Sequence, residues 1–120
     1  MIKYNSDDKI LSNIARIVEK RAKKEINLTL VIDETMGEFD AKYEDGVITS
    51  GSHHGILDVC GRVLRNPNLE NDSFHSHKEL CGMYFASHNH NFYEVAPLEE
   101  LYNYVEELGL WGMNAIKMWF

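Results

Sequence analysis

Cysteine is scarce in this sequence: only Cys60 and Cys81 occur in 120 residues, and they form neither a CxxC nor any other zinc spacing. That argues against a disulfide scaffold and a cysteine-based zinc centre, and two free thiols suit a reducing compartment. Basic residues are the minority charge, 12 against 19 acidic, for a formal net charge of −7. Affinity for a phosphate backbone comes mainly from clustered Lys and Arg, so no nucleic-acid partner is expected. Long apolar runs are missing too. Nothing approaches the roughly 18 residues of a membrane span, and the opening MIKYNSDDK lacks a basic-then-apolar leader pattern. The expectation is a cytoplasmic protein with no membrane partner. Equally missing are a glycine-rich phosphate loop, a GxSxG elbow and a Cys-His nucleophile arrangement.

What is present is enough apolar material, 44% of the residues, for a compact core of ordinary domain size. Met1 to Tyr4 reads as a short strand. Ile10, Leu11, Ile14, Ile17 and Val18 then recur at helical spacing, with Ser6 as the expected N-cap and Asp7 and Asp8 in the first turn. The basic run Lys20, Arg21, Lys23 and Lys24 falls at the end of this helix, where it reads as a solvated cap. Ile26, Leu28, Leu30 and Ile32 alternate with polar or second-face residues as a strand with one face inward. Phe39, Ala41 and Tyr43 begin a second alternation that turns at Asp45-Gly46 and leaves through Val47 to Thr49, a β-hairpin signal. Ser52 is placed to cap a helix with Ile56, Leu57, Cys60, Val63 and Leu64 on its inner face, ended by Asn66-Pro67-Asn68.

Residues 1–66 therefore read as β-α-β-β-β-α. Residues 67–79 are polar and aperiodic and read as a linker. In 80–120 a strand at Met83 to Ala86 is followed by a helix opened by Pro97 and carrying Leu98, Leu101, Tyr102, Val105 and Leu108 on one face. An apolar run from Ala115 to Phe120 completes a strand, helix, strand unit of the kind that joins parallel strands. Parallel strands occur almost only in sheets covered on both faces, so the pattern asks for more chain than these two strands.

The hairpin YEDGVITSG followed by HHGILDVCGRVLR resembles the end of the small α/β domain that precedes the catalytic barrel in β-hexosaminidases of glycoside hydrolase family 20 and in the related α-glucuronidases of family 67. LCGMYFASHNHNFY resembles the first barrel strand of that superfamily, and LEELYNYVEELGLWGMNAIKMWF its first barrel helix and second strand, with Met113-Asn114 before the strand. The resemblance implies an α+β chain: a hexosaminidase-like small domain and one βαβ unit of a truncated TIM barrel. It also implies carbohydrate as the substrate of the complete enzyme, no cofactor, and catalysis by a Glu with a neighbouring Asp after the fourth strand. Those carboxylates lie beyond the residues in hand, so this chain is expected to be inactive alone. Where the family 20 motif has an arginine before the first-strand glycine, this chain has Cys81, which leaves the sugar open.

In a complete barrel His88, His90, Asn91 and Tyr93 would follow the first strand on the substrate-binding face, and Trp119 would reach that face from the second. They read either as sugar contacts or as an ordinary polar loop, with Trp119 also a candidate core residue. His75-x-His77 and His88-x-His90 each set two imidazoles on one side of an extended segment, the basis of the alternative reading as a stand-alone ligand- or metal-binding module. No helical HExxH supports a metal site, and His53-His54 read as structural residues at a helix start. Glu99-Glu100 and Glu106-Glu107 are adjacent pairs that diverge around a helix, so they read as a solvated face rather than as paired catalytic carboxylates. Asp33-Glu34, after a strand, has no assigned role. A truncated barrel segment would leave Tyr84, Phe85, Ile116, Met118 and Trp119 without neighbours, so homo-oligomerisation through it is expected.

Overall fold

The computed structural model describes residues 1–85 and 92–118. Among them the order is β1 (Ile2–Lys3), α1 (Lys9–Arg21), β2 (Leu28–Ile32), β3 (Asp40–Glu44), β4 (Val47–Ser50), α2 (His53–Arg65) and β5 (Asp72–His75). There follow β6 (Gly82–Phe85), α3 (Phe92–Val95), α4 (Leu98–Leu110) and β7 (Ala115–Met118). The chain is thus α+β, with a mixed five-stranded sheet in the order β1-β2-β4-β3-β5 and a separate parallel pair, β6-β7.

Local chemistry explains the first sheet. Asp45 and Gly46 both adopt positive φ, 48° and 83°, the backbone a tight hairpin turn needs, and so β3 and β4 pair antiparallel with Tyr43 opposite Ile48. Leu28, Leu30, Ala41 and Ile48 face inward from the strands. Against them pack Leu11, Ile14 and Val18 of α1 and Ile56, Val59 and Cys60 of α2. Each fully buried aliphatic side chain of this kind contributes about 1.5–3 kcal/mol relative to exposure.

Several expectations need correction. Ser6 does not cap α1. The Asp8 carboxylate accepts from the Ile10 and Leu11 amides, both at 3.0 Å, so the helix starts at Lys9 with no acidic residue in its first turn. Ile10, in that turn, is 54% exposed. Ser52 does cap α2, accepting from the Gly55 amide at 3.1 Å. The stretch 67–79, expected to be a linker, contains β5, which pairs antiparallel with β3. An edge strand needs few inward residues: Phe74, with Leu69 before it, packs on the core, while the polar side chains around it face water.

The last helix is also rotated from expectation. Of the apolar face expected there, Leu98, Tyr102 and Val105 are 59%, 60% and 51% exposed; only Leu108 of the same face is buried, with Leu110 beside it. The reason is an ion-pair layer between α4 and α1. Arg21 donates to Glu107 at 2.6 Å and to Glu106 at 3.1 Å, Arg16 reaches Glu106 at 3.3 Å, and Lys20 donates to the Asn103 side chain at 2.9 Å. Glu106-Glu107 are therefore not a free solvated face, nor is Arg21 a solvated cap. No helix among the described residues is long and apolar enough to cross a membrane.

Candidate functional site

The strand β6 ends at Phe85, beside the loop expected to meet substrate. His88, His90, Asn91 and Trp119 lie outside the described residues. Tyr93, on α3, belongs to an aromatic cluster, its ring 5.2 Å from that of Phe85 and 4.9 Å from that of Tyr104 on α4. Tilted aromatic pairs at this spacing add about 0.5–1.5 kcal/mol beyond their burial, enough to hold α3 over the end of β6. Tyr104 is not among the residues expected at the site, although its spacing from Leu101 and Leu108 along α4 is a signal for it.

At the other end of the pair, Asn114 fastens the two strand starts together. Its backbone amide donates to the Cys81 carbonyl at 2.8 Å, its side-chain oxygen accepts from the Cys81 amide at 2.9 Å, and its side-chain amide donates to the Glu79 carbonyl at 2.8 Å. Beyond these ends β6 and β7 are thinly covered: Met83, Tyr84, Ile116 and Met118 are all well exposed. Register sets Met83 beside Ile116 and Phe85 beside Met118.

Among the acidic candidates, Asp33 and Glu106 have structural partners. Asp33 accepts from the Thr35 amide and hydroxyl, which holds its carboxyl below the usual range and closes the turn after β2. For Glu106, burial pushes the carboxyl up, but hydrogen bonds from Arg21 and Arg16 and the charge of Lys20 outweigh it, so the net direction is down.

A cavity of about 240 Å³ opens where α2, β5 and the β6–α4 unit meet. Its wall includes His54 and Arg62 of α2, Phe74 of β5, His77 and Lys78 from the segment after β5, and Trp111 past the end of α4. Arg62 lies over the Phe74 ring, 4.5 Å from its centroid, and Arg65 lies over the Trp111 ring at 3.9 Å. In sequence His75 and His77 read either as solvated loop histidines or as half of a metal site. His75 instead binds Asp40 of the neighbouring strand, and among the described residues no three His, Cys, Asp or Glu side chains are grouped to hold a metal ion.

Comparison of the chain with protein-family models, with curated proteins and with solved structures finds no match.

Proposed function

We propose that this chain is the N-terminal portion of a glycoside hydrolase of the hexosaminidase-like superfamily. Residues 1–66 with β5 form the small non-catalytic domain, and 80–120 supply the first strand, helix and strand of a (β/α)₈ barrel. The observation that supports this reading is the β6–α4–β7 unit, a parallel pair joined by a helical crossover. Such pairs belong to sheets buried on both faces. Here Met83, Tyr84, Ile116 and Met118 are exposed on the pair, as are Leu98, Tyr102 and Val105 on α4. These are surfaces that neighbouring βα units would cover.

In that setting the small domain braces the barrel by holding α4 through the Arg21, Glu106 and Glu107 ion pairs and the packing of Leu110 on α2. Barrel enzymes build their chemistry from the loops at the C-terminal ends of many strands. The end of β6, with His88, His90, Asn91 and Tyr93, and with Trp119 after β7, would meet carbohydrate there. Hydrolysis itself would depend on carboxylates from later strands, and the 120-residue chain alone would be inactive.

The test is to sequence the source locus beyond the codon for Phe120 and to assay the full product against a panel of aryl glycosides. A frame that continues into further βα units with an acidic pair, and a product that releases the aryl group, supports the reading. A stop codon directly after Phe120 would overturn it.

A further inference from the structure

We propose that the cavity between α2, β5 and the β6–α4 unit is a binding site for a small anion, a carboxylate or phosphate, held by Arg62 and Lys78. This goes beyond the glycosidase reading and does not rest on it. The cavity borders Cys81, at the start of β6, whereas the expected sugar contacts follow its other end.

Three observations carry the assignment. The first is charge. In a chain of net charge −7, the lining holds Arg62 and Lys78, and Asp58 is its one carboxylate. Arg62 holds Asp58 at 3.4 Å, so that pair balances, and Lys78 leaves the net sign of the lining positive. The second is unused donor capacity. The side chains of His54, His77 and Lys78 make no hydrogen bond or ion pair among the described residues, and each carries at least one N–H donor. The third is the wall between them. Phe74 and Trp111 set aromatic surface beside the cations, against which the apolar body of an organic anion can pack. The size limits the occupant: about 240 Å³ is less than the roughly 300–1,000 Å³ of pockets for drug-sized ligands, so a ring-sized molecule or smaller fits.

Amide and imidazole NMR resonances of the whole chain, titrated with inorganic phosphate, with benzoate and with uncharged benzyl alcohol, provide the test. Saturable shifts at His54, His77 and Lys78 are expected with at least one of the two anions and not with benzyl alcohol. Phosphate alone acting would define an oxyanion site; benzoate alone would define one that also needs an apolar body. Lys78→Met, which removes an exposed and unpartnered side chain without disturbing the fold, is expected to weaken binding about tenfold, the loss of one charge-assisted contact. Lys9→Met, on the first turn of α1, should leave binding unchanged. Shifts that never saturate, equal binding of benzyl alcohol, or a Lys78→Met chain that binds as before would each overturn the proposal.

Discussion

The backbone carbonyl of Leu110, at the end of α4, accepts a 2.8 Å hydrogen bond from the Arg65 guanidinium on α2. One turn earlier on α2, Gly61 faces the same carbonyl, and a Cβ added there would run into it. This seam is where the β6–α4–β7 unit leans on the rest of the molecule. It gives Gly61→Ala two opposed effects. Helix propensity favours the alanine by about 1 kcal/mol, while forcing atoms into a packed contact costs about 1–3 kcal/mol. The obstacle is backbone, which cannot rotate aside, so the packing term should win. A lower urea midpoint for Gly61→Ala is expected; a higher one would mean that α4 does not sit tightly on α2.

Acid should loosen the fold through two carboxyls. Asp8 is held below its ordinary value of 3.8, first by the hydrogen bond from His53 at 2.7 Å and then by the helix amides it caps. Glu106 is held below 4.5, the cations of α1 overcoming the effect of burial. A carboxyl with a lowered folded pKa stabilises fully above its ordinary value, and that contribution disappears as pH falls through the folded value. Thermal melting should therefore begin to weaken below about pH 4.5 and keep weakening beneath 3.8. Glu106→Gln should flatten that decline, and at neutral pH it should cost about 0.5–1.5 kcal/mol by giving Arg16 and Arg21 a neutral acceptor in place of a charged one, while Glu107 still holds Arg21. A wild-type melting temperature constant across the same range would contradict the assignment.

The two thiols should differ sharply in reactivity. Cys60 is fully buried between α2 and the core, and burial pushes its pKa up to about 12. Cys81 is exposed. Because the thiolate is the reacting species, a chromogenic disulfide reagent at neutral pH should titrate Cys81 quickly and Cys60 only after a denaturant is added. Fast reaction of both thiols in the native chain would show that α2 opens readily.

Much of the first sheet was legible because local and global signals agree there. Leu28 and Leu30 alternate inward, Asp45-Gly46 supplies the turn, and Ser52 caps the helix that follows. The sequence was less informative where a segment's role depends on a distant partner. β5 carries one inward side chain, Phe74, too few for a period-2 pattern, and only its pairing with β3 makes it a strand. The rotation of α4 was hidden for the same reason. Its apolar stripe is clear, but Glu106 faces inward because Arg16 and Arg21 of α1 wait for it, and that pairing is invisible from α4 alone. The cavity draws on α2, β5 and the end of α4, so no local window could contain it. Of the residues read as sugar contacts, Tyr93 alone is described, and its ring partners Phe85 and Tyr104 come from separate elements.

The rotation of α4 bears directly on how the isolated chain should behave. Leu98, Tyr102 and Val105 form one stripe along the helix, 51% to 60% exposed, and β6 and β7 pair only with each other among the described residues. Unpaired strand edges and contiguous apolar surface are the usual templates for association, and a second copy of the chain offers the same features in return. Sedimentation velocity should therefore show a coefficient that rises with protein concentration. Tyr102→Gln with Val105→Gln keeps good helix-forming residues and spares the Arg21 and Glu106 ion pairs, so the fold should survive while association weakens. If the wild-type chain sediments as a monomer at every concentration, the stripe is stable in water by itself. α4 and its strands would then need no further neighbours.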